Sequence, residues 1–164
     1  MFSCNQLDKL TQKEFDLKTE FTVSEEIIAN ELFTFSTEKE EVKLDETLKN
    51  YNSGEDLIEE LKVKKVLLKI DESSNISFSF LKQIDLYVKT DKHSRVKVAS
   101  IHDVAASVDK EIQLEVEKDL DLAAYFKEKF IQMEVEGIAK ETIAEAVEIK
   151  ADLTYWVDFK VLGN

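Results

Sequence analysis

From Val147 to Val161 every odd position is apolar or aromatic: Val147, Ile149, Ala151, Leu153, Tyr155, Val157, Phe159 and Val161. The even positions are Glu148, Lys150, Asp152, Thr154, Trp156, Asp158 and Lys160, polar except for Trp156. A period of two held this long predicts a β-strand with one face in a core and one toward water. Leu153, Tyr155, Val157 and Phe159 are therefore expected to point inward. At about 3.3 Å per residue the stretch reaches about 50 Å, so it is expected to bend or to serve two sheets.

The same alternation recurs upstream. Phe15, Leu17, Thr19, Phe21 and Val23 predict a first strand, and Leu32, Phe33 and Phe35 a short second one leading into the charged stretch Glu38-Lys39-Glu40-Glu41. Charges there suit a strand edge, because they discourage pairing with other chains. Ser24 to Ala29 reads as a turn of helix or a crossing. Leu44, Leu48 and Tyr51 form a weak helical face, and Ser53 can cap a second short helix with Leu57, Ile58 and Leu61 on its core side. Val63, Val66, Leu68 and Ile70 form a strand whose parity changes at Lys64-Lys65, the mark of a β-bulge or of the true strand start. After the turn cluster Asp71 to Asn75 come Phe78 and Phe80, a tight connection at Leu81 to Gln83, and then Ile84, Leu86 and Val88. Val96 and Val98 are the hairpin partner, and Ile101 to Lys110 is a polar crossing. Ile112, Leu114 and Val116 alternate again; Asp119 or Asp121 then caps a helix over Leu122 to Lys129. Ile131, Met133 and Val135 make the next strand, turned by Gly137. About eight strands at these spacings, with two or three short helices in the crossings, predict an all-β fold, an antiparallel β-sandwich. Residues 1–12 read as a tether and 13–164 as one domain.

The chain has 164 residues, enough to bury about 70% of the surface its unfolded form exposes. Three Gly and no Pro leave the turns to Asn, Asp, Ser and Lys. A formal charge of −13 and a single arginine, Arg95, disfavour phosphate backbones, so no nucleic-acid partner is expected. The same charge repels anionic lipid from the folded body, and no apolar run approaches the ~20 residues of a spanning helix. Most of the acidity is read as solubility.

Cys4 is the one cysteine, preceded by Phe2 and Ser3. A hydrophobic residue, a small residue and then Cys resemble the end of a bacterial lipoprotein signal, where the new N-terminal Cys is acylated. The basic start and apolar stretch of such a signal are not in the sequence as written, so export is expected only with a signal upstream; otherwise the chain is cytoplasmic. CNQLDKLTQ at the start, DLIEELKVKKVLLKI and FSFLKQIDLYV in the middle, then DLAAYFKEKF and VDFKVLG resemble small lipoproteins of the Bacteroidota of unknown function. The resemblance covers nearly the whole chain. It implies an acylated Cys4, attachment to the cell envelope at the outer membrane, one β-rich domain, and no particular activity.

Catalytic signatures are few. Three Gly cannot build a P-loop or a GxGxxG turn. His93 and His102 fall in predicted turns beside Asp91 and Asp103, too few ligands for a zinc site. Ser100, His102 and Asp103 are too close in sequence for a hydrolytic triad, whose members meet through the fold. Asp119 and Asp121 lack the central glycine of a calcium loop and read as helix caps. No predicted strand sets a carboxylate on its apolar parity, where a general acid with a raised pKa would sit; Asp85 and Asp158 lie on polar parities. No catalytic, cofactor or metal residue is assigned. Trp156, on the polar face, either packs under a helix or offers an aromatic platform to a sugar or a partner protein. The sequence thus reads as a non-enzymatic, monomeric envelope module, touching the membrane only through a lipid on Cys4 and binding an unknown protein or glycan. The alternatives are a small carboxylate-dependent hydrolase and a glycan-binding protein.

Overall fold

The structure, a computed structural model, describes residues 11–23, 26–42 and 57–160. The expectations for Cys4, for helical turns between 44 and 56, and for Val161 lie outside the described residues. The long alternating stretch is a strand over Val147–Phe159, and each of its odd residues is buried. Leu153, Tyr155, Val157 and Phe159 face inward as their parity requires.

The described residues form nine strands: β1 (Gln12–Val23), β2 (Leu32–Ser36), β3 (Glu40–Glu41), β4 (Ile58–Ile70), β5 (Leu81–Lys89), β6 (Val96–His102), β7 (Glu111–Val116), β8 (Phe130–Ala139) and β9 (Val147–Phe159). Among the described residues one helix, α1 (Ala123–Phe126), and a 3-10 turn at Phe78–Phe80 accompany them. The fold is all-β and antiparallel, as the alternation predicts. Two packed sheets are not what it forms. Eight strands make one curled ladder in the order β1-β9-β4-β7-β6-β5-β8-β2, a half-barrel, with β3 also on the edge of β8. The ladder is thinnest between β6 and β7, where two residue pairs, Ala99↔Val116 and Ser100↔Glu115, join two four-stranded halves. The periodicity that predicts a sandwich is equally satisfied by two halves hinged at such a corner, since both bury one face per strand.

At the other side the halves meet through side chains. The Phe21 and Phe35 rings of β1 and β2 lie 4.8 Å apart, and the Thr19 hydroxyl of β1 donates to the Glu40 carboxylate of β3. The inside of the curl is filled. Val66 and Leu68 of β4, Ile84 and Leu86 of β5, Met133 and Val135 of β8 and the odd residues of β9 form one cluster. Helix α1 contacts both β4 and β8, strands four places apart in the ladder, so it lies across the concave side. Its Phe126 meets Tyr155 edge-on at 4.7 Å, and Phe15 stacks on the same ring at 5.3 Å.

Local chemistry explains where strands bend. The parity change at Lys64-Lys65 is a register shift of β4 against β9, as expected of a bulge. A second shift, between Ile58 and Glu60, overturns the helix placed over Leu57 to Leu61. Its extra residue sets Ile58 and Leu61 on one face, which imitates the i, i+3 spacing of a helix. The N-cap of α1 is Leu122 and not an aspartate, but Asp121 just before it accepts at Oδ1 from Ala123 N–H at 2.9 Å and from Leu61 N–H at 3.0 Å, tying α1 to β4. Phe78 and Phe80 lie in the 3-10 turn rather than a strand, and Leu81 already opens β5. Gly137 does not turn β8 but sits inside it, opposite Phe33 of β2. A Cβ there would come 2.3 Å from Phe33 Cζ, so the glycine makes room for the ring. Turns are built from Asn and Asp as the composition demands: Asn30 and Asp103 take left-handed backbone (φ 63° and 56°).

Candidate functional site: the open seam between the sheet edges

Among the described residues β1 pairs with β9 and β2 with β8, so these two strands end the ladder. The two edges close on each other at Phe21/Phe35 and at Thr19/Glu40 and part beyond them. There a groove of about 480 Å³ opens, lined by Thr22 and Val23 of β1, Glu26 to Ile28, Glu31, and Leu32 to Ser36 of β2. The wall between the strands is held in place by bridges, Ile27 to Ile143 with mutual backbone bonds of 2.9 Å and Ala29 to Ala139. Thr142 Oγ1 accepts from Ala29 N–H at 3.1 Å. Ile27 is buried by this pairing, whereas Ile28 and Leu32 are 46% and 62% exposed. These two and Phe130, on the far side of β8, are the large apolar side chains most exposed among the described residues. Glu26 and Glu31 are the charged residues of the groove, and neither takes part in an ion pair among the described residues.

The outer face of β5, β6 and β8 carries a lattice of paired charges. Arg95 bonds Glu136 at 2.6 Å, reaches Glu134 at 3.5 Å, and lies over the Tyr87 ring at 4.4 Å from its centroid. Lys89 bonds Glu134, and Lys97 bonds Asp85 at 3.1 Å. The Lys89 ammonium, with Arg95, holds the Glu134 carboxyl below its ordinary value. Burial pushes the Tyr87 phenol up. The lattice ties its carboxylates to cations and lowers Glu134, the opposite of what a general acid needs.

His102 ends β6, with Nε2 3.1 Å from Asp85 Oδ1. Asp85, on β5 opposite Ser100, is its acidic neighbour, where the sequence points to Asp103. The pair is visible only once β5 and β6 are in register, since 17 residues separate them. Ser100, two residues before His102 on the same strand, makes no hydrogen bond to it. His93 lies against Tyr125, ring centres 5.0 Å apart and planes tilted by 36°. Trp156 lies half-buried on the outer face between Glu14 of β1 and Lys62 of β4. Helix α1 packs on the opposite face, against Tyr155. Around Trp156 run the ion pairs Lys64–Glu14 and Lys62–Glu60. Cys4 lies outside the described residues.

Among the described residues no group of three or more His, Cys, Asp or Glu is arranged to hold a metal, and no helix is long and apolar enough to cross a membrane. No protein family and no curated protein matches the chain. Among solved structures it is similar to one of Desmodium yellow mottle tymovirus, at TM-score 0.33 and 9% identity over 93% of this chain and 91% of that one. A likeness that slight carries no functional argument.

Proposed function

We propose that this chain is a non-catalytic binding module of the cell envelope, held at the membrane by a lipid on Cys4 and engaging a partner protein at the seam groove. The observation that carries the reading is the groove itself. Exposed Ile28 and Leu32 lie beside the edge of β2, which has no second backbone partner among the described residues, the combination natural sheets ordinarily cover or blunt with charge. Trp156 is the weaker surface, because ion pairs crowd it and its ring is half-buried. The envelope location rests on Phe2-Ser3-Cys4 and on the resemblance to small lipoproteins of the Bacteroidota. Acylation supplies the membrane contact that an acidic body does not, and a single chain anchors only marginally, so a diacyl group is the expected form.

Partner capture with wild type and Leu32→Ser tests the module, together with a broad hydrolase screen. Wild type is expected to retain a partner that Leu32→Ser loses, without turnover. Leu32 is exposed, so its loss leaves the core intact. Turnover abolished by Asp85→Asn, or by any other single Asp or Glu substitution, overturns the non-enzyme reading.

A further inference from the structure

We infer that the groove takes an extended segment, alternating apolar and basic residues, which adds as a strand to the free edge of β2. The inference rests on the binding-module reading and names its partner's chemistry. Every residue of β2 lines the groove, and β2 pairs on its other side with β8, so among the described residues one row of its backbone groups is left for an added strand. An added strand presents alternate side chains to each face. Those on the inner face lie beside Phe33 and Phe35, which select apolar groups, while Leu32 and Thr34 occupy the other face. Glu26 and Glu31 line the same groove, two carboxylates that take part in no ion pair among the described residues. Lysine or arginine on the partner completes both pairs, whereas an acidic segment meets like charge on a chain whose net charge is already −13. The rings of Phe21 and Phe35 close the seam at one end, so the added strand enters from the Leu32 end and stops there.

The test uses a capped peptide of roughly eight residues alternating valine and lysine, read by fluorescence anisotropy. Its controls are the same peptide with glutamate for lysine, and with N-methyl groups on alternate amides. The valine–lysine peptide is expected to bind wild type, more weakly as salt rises. Glu26→Gln with Glu31→Gln should weaken it about fivefold, and N-methylation about tenfold or more. Equal binding of the glutamate peptide, an unchanged Glu26→Gln/Glu31→Gln variant, indifference to N-methylation, or no binding overturns the inference. A captured partner that depends on Leu32 but has no basic extended segment sinks this inference and leaves the binding module standing. No Leu32-dependent partner and no peptide binding sinks both.

Discussion

Replacing Tyr155 by Phe should stabilise this protein. The residue is fully buried in the curl, its ring held between Phe15 and Phe126, yet its hydroxyl has no hydrogen-bond partner among the described residues. A buried hydroxyl left unpaired costs about 1–3 kcal/mol relative to one in water. Tyr155→Phe removes that cost and keeps both ring contacts, at the expense of a void smaller than a methyl group, so a net gain of about 1 kcal/mol is expected. Urea unfolding followed by the fluorescence of Trp156 should show a higher midpoint at unchanged slope. The pH dependence gives a second readout. Burial, with the nearby Glu40 carboxylate, pushes the phenol well above its ordinary value. Below about pH 10 it is protonated folded and unfolded, and its pKa adds no pH dependence. Above that, the unfolded phenol ionises first, so wild type loses stability that the variant keeps, by about 1.4 kcal/mol per pH unit. A Tyr155→Phe protein less stable than wild type by 1 kcal/mol or more would refute the reasoning, because it would mean that the hydroxyl has a partner.

Three further outcomes are expected. Gly137→Ala must displace the Phe33 ring and should cost about 1–2 kcal/mol in chemical unfolding, most of it recovered in a Phe33→Ala background because the two sites share the clash. Glu134→Gln should cost about 1 kcal/mol at neutral pH. Since Lys89 lowers the Glu134 pKa in the fold, that contribution is present above the unfolded value and lost as pH falls through the folded one, so the two unfolding midpoints should converge in acid. With a signal peptide upstream, a fatty-acid probe should label wild type and leave Cys4→Ser unlabelled; equal labelling of both, or of neither, would remove the lipid anchor.

How legible this molecule was in its sequence depends on the range of each interaction. β9 was legible residue by residue, because burial on one face of a strand writes a period of two directly into the chain. The bulge at Lys64-Lys65 was legible for the same reason, as a break in that period. The bulge at Ile58 was not, because its spacing is also that of a helix. Sheet closure left no local trace: whether two halves stack freely or join at a corner depends on the two residue pairs between β6 and β7. Gly137 read as a turn because its reason, the Phe33 ring, lies 104 positions away in sequence (137 − 33). The seam groove was equally hidden. Ile28 and Leu32 look like ordinary core residues until the ladder shows that β1 and β2 end it without pairing with each other.

Amide hydrogen exchange along Leu32–Ser36, with and without the valine–lysine peptide, tests the open seam most directly. In the free protein the amides of β2 turned away from β8 should exchange fast and those turned toward it slowly. Saturating peptide should slow the fast set while leaving the β4–β9 ladder unchanged. Fast amides that stay fast at saturation, or amides already slow in the free protein, would contradict a groove that binds by strand addition.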